Sequence, residues 1–104
     1  MTPIKSSFVF AATGTTKSAT LHENGIIIGY TMVTPNFTNP STSTLTILDE
    51  DSVTIYTGAA HNENGTYVVD SLLIPCDKNY TATITLSGVA GGAGGTVTLK
   101  LFVQ

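Results

Sequence analysis

Ten residues near the C-terminus, "NYTATITLSG", alternate strictly: Tyr80, Ala82, Ile84 and Leu86 take one side, and Thr81, Thr83, Thr85 and Ser87 the other. A period of two marks an extended strand with one face buried, since a helix would bring every third or fourth residue together. The closing segment repeats the device, with Val97, Leu99, Leu101 and Val103 on one face and Thr96, Thr98 and Lys100 on the other. Phe102 interrupts that polar face; its ring is either covered by a neighbouring loop or free to serve as a contact.

Comparable patterns recur along the chain. "FVFAA" lies near the start, and "GIIIGYTMV" is an apolar run suited to a central strand covered on both faces. In "STSTLTILDEDSVTIYTG", Leu45 and Ile47 enter an acidic turn at Asp49, Glu50 and Asp51, and Val53 and Ile55 leave it, which reads as a hairpin. "TYVVDSLLIP" completes a count of about seven or eight strands, and no stretch carries a helical period. The 19 Thr and 8 Ser, against few charged residues, favour strands over solvated helices. These features predict an all-β chain, a single antiparallel β-sandwich domain over residues 1–104, jelly-roll-like in architecture. Pro3 disfavours a helix at the start, so residues 1–7, including Ile4, are expected as an extended N-terminal arm. "PNFTNPSTS", with Pro35 and Phe37, is expected as a surface loop.

Composition excludes several function classes. A net charge of −3 with only four Lys and no Arg leaves no basic stripe for a nucleic acid. No apolar run approaches the ~18 residues of a membrane span, and the N-terminal stretch does not read as a secretory leader, so synthesis in a cytoplasm is expected. Cys76 is the single cysteine, expected as a buried, inert thiol. His61-Asn62-Glu63 with Pro75-Cys76 matches part of the zinc deaminase pattern, but Asn79 stands where the second cysteine belongs. His22 and His61 are expected as solvated turn residues, and the Asp49–Glu50–Asp51 turn offers too few ligands for a calcium cage. Tyr56 and Tyr67 are the only tyrosines expected to stand outward as a pair, the one feature that would suit a carbohydrate-binding module. No catalytic, metal or cofactor site is expected, and the chain does not read as an enzyme.

The remaining feature is the run "SGVAGGAGG", with five of the ten glycines between positions 88 and 95. A dinucleotide fingerprint would need a third glycine where Val97 stands, and a Walker loop would need Gly-Lys opening a helix, whereas Gly95-Thr96 opens a strand. The run is therefore expected as a hairpin tip poor in side chains, where Gly91 and Gly94 let another backbone approach closely.

The Thr-rich sandwich pattern, with "TLTILDEDSVTIYTGAA" and "YTATITLSGVAGGAGGTVTLKLFV", resembles small virion proteins of tailed bacteriophages, above all the jelly-roll capsid decoration or cement proteins. The resemblance implies a protein without catalysis on the capsid exterior, made in the host cytoplasm. It would bind the major capsid protein at subunit junctions as a homo-dimer or homo-trimer and stabilise the shell. A tail, neck or fibre component would share the same composition. The expected contact residues are Pro3, Ile4, Pro35, Phe37, Gly91, Gly94 and Phe102.

Overall fold

The computed structural model describes residues 2–104. Nine strands follow one another: β1 (Thr2–Phe10), β2 (Thr16–Thr20), β3 (Gly25–Thr34), β4 (Ser43–Leu48), β5 (Thr54–Thr57), β6 (Gly65–Val69), β7 (Ile74–Cys76), β8 (Thr81–Leu86) and β9 (Gly95–Val103). They form two antiparallel sheets. Sheet A has the order β1-β9-β3-β6, with the short β7 also on β3, and sheet B the order β2-β8-β4-β5.

The pairings are nested. β4 pairs with β5 across a tight turn, β3 with β6, β2 with β8, and β1 with β9, so the chain folds back on itself as one long ribbon. Two further pairings, β3 with β9 and β4 with β8, roll that ribbon into a sandwich. Eight strands wound in this way make a jelly roll, as expected, with β7 as an addition between the sixth and eighth strands.

The alternation read in the sequence sets which side chains enter the sandwich. Val97, Leu99, Leu101 and Val103 all point inward from β9, and Ala82, Ile84 and Leu86 do so from β8. Each fully buried aliphatic side chain contributes roughly 1.5–3 kcal/mol relative to exposure. Phe8, Phe10, Tyr30, Met32, Leu45 and Ile47 fill the space between. β3 is central, but covered on one face only: Ile26 and Val33 point to solvent, and a register irregularity between Ile27 and Gly29 shifts its alternation. The expectation of a strand buried on both faces is thus corrected.

Two further corrections concern backbone. Residues 2–7 do not form a free arm, because they are the first part of β1, paired from Thr2 opposite Val103 to Ser7 opposite Thr98; Met1 lies outside the described residues. The glycine run is not a hairpin tip, since β8 and β9 belong to different sheets and the run crosses between them. Ala90 is buried, the Gly91 N–H donates to Ala12 O at 2.8 Å, and the Asn39 N–H donates to Ala90 O at 2.9 Å. The crossover is packed against the loops after β1 and β3.

Gly94 has φ of +75°, and a Cβ there would strike the carbonyl oxygen of Phe10. Gly88, in the same crossover, has ordinary φ and meets nothing closer than Ser41 Oγ at 3.9 Å. Gly94→Ala should therefore lower the urea midpoint by an amount worth at least about 1–3 kcal/mol, the usual cost of a strained backbone. Gly88→Ala should leave it within about 0.5 kcal/mol of the parent.

Candidate interaction surfaces

The inward halves of the strands make the core, so what the protein offers to other molecules is the outward halves, the strand edges and the loop ends. On sheet B the outward side chains form hydroxyl rows across the strands. Thr16, Thr85 and Thr44 make one, Ser18, Thr83, Thr46 and Thr57 the next, and Thr20, Thr81, Leu48 and Thr54 the third. Directly opposed hydroxyl side chains pair favourably across a sheet, and Ser18 Oγ lies 2.8 Å from Thr83 Oγ1. The result is a polar, nearly uncharged face.

Sheet A presents a different surface. Its outward rows include Ser7, Thr98, Val33 and Thr66; then Lys5, Lys100, Thr31 and Val68; then Pro3, Phe102 and Gly29. Val68 is 73% exposed and Val33 43%. Lys5 and Lys100 are register partners, and like charges directly opposed in a sheet disfavour one another. β1 closes one end of this sheet and is nine residues long, with outward hydrogen-bonding groups along its free side.

The expected contact residues divide between these surfaces and the interior. Pro3 is exposed on β1 opposite Phe102, whose ring is half-buried on the same outer face. Ile4 points inward against the core, as the alternation of β1 requires. Phe37 is buried at 3% exposure, and its N–H donates to Glu63 Oε2 at 2.8 Å, so it anchors its loop instead of offering a contact. Pro35 is half-buried, and its carbonyl accepts the Asn64 N–H at 2.9 Å. A Cβ on Gly91, at φ +73°, would lie 2.5 Å from the Asn39 amide nitrogen, and Gly94 abuts Phe10. Both glycines serve packing within the chain, which corrects their reading as points of approach for a neighbour.

At the same end of the sandwich an open cleft of about 310 Å³ is lined by Pro40, Ser41, Thr42, Asn62, Glu63 and Ser87. Close by, the chain builds a constellation that its sequence did not announce. His61 forms an isolated backbone bridge to Ser43, donating and accepting at 2.9 and 2.8 Å, which pins it to the end of β4. Its Nε2 lies 2.9 Å from the Tyr30 hydroxyl, and its ring stacks on Tyr67 at 4.6 Å. Tyr56 packs against the core beside Tyr30. The expected outward pair Tyr56 and Tyr67 is therefore absent, because both rings turn toward this cluster, and His61 is not a solvated turn residue. All three tyrosines take inward positions, on β3, β5 and β6, and no local pattern in the sequence announces it.

Burial, followed by the neighbouring Tyr56, holds the Tyr30 phenol well above its usual range, so it stays a neutral hydroxyl. Burial also lowers the His61 imidazole below its ordinary 6.5. In the Nδ1-protonated tautomer the phenol donates to Nε2; protonation of Nε2 would remove that acceptor. Cys76 is buried as expected, its thiol donating to Glu23 O at 3.2 Å, and burial, then Asp77 and Glu23, push its pKa up, away from reactivity. At the β4–β5 turn, Asp49 Oδ1 accepts the N–H groups of Asp51 and Val53, both at 2.9 Å, so that carboxylate shapes its own turn. Among the described residues no group of three or more His, Cys, Asp or Glu side chains is placed to hold a metal.

Two predictions follow from this cluster. Because His61 has a lower pKa folded than unfolded, the unfolded chain takes up the proton first. Its contribution is complete above the unfolded pKa near 6.5 and is lost as the pH falls from there toward the folded value. Urea midpoints at pH 7.5 and 5 should differ less in His61→Gln than in the parent. Separately, Ser43 Oγ is fully buried without a hydrogen-bond partner. Ser43→Ala should raise stability by about 1 kcal/mol in the same measurement, since an unsatisfied buried hydroxyl costs ~1–3 kcal/mol.

No protein-family model matches the chain, and a comparison with curated proteins finds no relative. Among solved structures it is similar to a chain from a structure of infectious bursal disease virus, Gx strain. Identity is 15% and the TM-score 0.36, with 94% of this chain and 32% of that chain covered. The chain thus spans about a third of the length of that neighbour. At this TM-score the likeness carries no functional argument, which rests instead on the surfaces described above.

Proposed function

We propose that the protein is a structural component of a virus particle, in which its sandwich lies against an ordered shell and stabilises it as a decoration protein does. The jelly roll by itself hosts capsid, lectin and cupin roles alike, so the reading has to come from the surfaces. The observation that carries it is the outer face of sheet B, where ten of the eleven side chains in the three rows are Ser or Thr. Such a face matches a broad protein surface through many modest hydrogen bonds. It carries no charge that would have to be stripped of water on contact. Repetition over a lattice makes many weak contacts firm. The partner in this reading is the major capsid protein, and the place is the capsid exterior.

The test is cosedimentation with purified capsids. The protein should pellet with them in a fixed ratio to shell subunits. Thr46→Lys, which places a charge at the centre of the hydroxyl face, should weaken pelleting at least about tenfold, a loss typical of a central contact, with the melting temperature little changed. Pelleting with tails alone would move the protein to a tail, neck or fibre position, and no pelleting with either would overturn the reading.

A further inference from the structure

We infer that the outer face of sheet A is the receptor for the β4–β5 hairpin of a second copy of this chain, in a head-to-tail contact. The chain has four Lys in all, and two of them, Lys5 and Lys100, stand directly opposed on this face and both exposed. Their mutual repulsion is relieved when an anionic group docks between them. The same chain carries three of its seven acids consecutively at the β4–β5 turn. Glu50 and Asp51 are exposed there, while Asp49 is occupied in shaping the turn.

The apolar parts of the two surfaces match as well. The lysine row ends in Val68 and runs beside Val33, 73% and 43% exposed, and the acidic turn runs into Val53 and Ile55, 56% and 36% exposed. Each surface thus pairs charge with an apolar flank, the combination of a docking patch with its own selectivity. Beside the turn, the Tyr80 phenol is raised first by burial and then by Glu50, Asp49 and Asp77.

Within one molecule the two surfaces cannot meet. The lysine pair faces away from sheet B, and the hairpin is part of sheet B. They can meet only between copies. Because the surfaces are different patches, the contact is heterologous, so it closes into a ring or runs on as an array and does not make a two-fold dimer. This inference is independent of shell binding.

The test is light scattering of the protein alone, with concentration and salt varied. The parent should associate at low salt and dissociate in molar salt, where screening acts over only ~3 Å. Lys5→Glu/Lys100→Glu and Glu50→Lys/Asp51→Lys should each raise the concentration for half-association at least about tenfold, as like charges meet across the contact. Mixing the two variants should restore association, since each then offers what the other lacks. Unchanged thermal melting of both variants excludes misfolding as the cause. A parent monomeric at every concentration, association indifferent to both reversals, or no rescue on mixing would each overturn the inference. Loss of capsid pelleting by the lysine variant with self-association intact would also overturn it, assigning the face to the shell.

Discussion

β9 holds the molecule together. It is hydrogen-bonded along both edges, to β1 on one side and β3 on the other, and its four inward side chains are all within 4% of full burial. The strand that ends the described chain therefore sits beside the one that begins it, with Thr2 opposite Val103. Sheet A cannot close until almost the whole chain is present, so long-range pairing governs its folding. The outer face of sheet A is the reverse side of that strand, of its neighbours β1 and β3, and of β6 beyond.

From this constraint the two solvent faces inherit their characters. A strand that must present Val97, Leu99 and Leu101 to the core presents Thr98, Lys100 and Phe102 outward. The outward set can vary without disturbing the core. The same separation holds on sheet B, where burial of Ala82 and Ile84 leaves Thr81, Thr83 and Thr85 outside. The two faces differ in chemistry, one of hydroxyls and the other of lysines with aliphatic neighbours.

The sequence was most legible where one face of a strand is buried. β4, β8 and β9 could be read residue by residue because the core enforces their period of two. β2, "TKSAT", escaped because it is an edge strand in which Ala19 alone packs against the core, and β7 escaped because three residues cannot show a period. The glycine crossover reads locally as a tip for a related reason: what orders it lies far away in sequence, at Phe10, Ala12 and Asn39. His61 likewise reads locally as solvated, because its partners, Tyr30 and Tyr67, arrive from two other strands. Phe37 and Ile4 read locally as contacts, but tertiary packing claims both.

The central claim is that the outer faces of the sheets, and not the cleft at the loop end, are where the protein meets its partners. Side-chain footprinting with hydroxyl radicals, comparing the dilute monomer with the assembled particle, tests it most directly. The account predicts that Val33, Val68, Phe102 and Ile55 lose reactivity on assembly while Pro40 in the cleft keeps it. Protection of Pro40, with Val33 and Val68 as reactive as in the free protein, would contradict it.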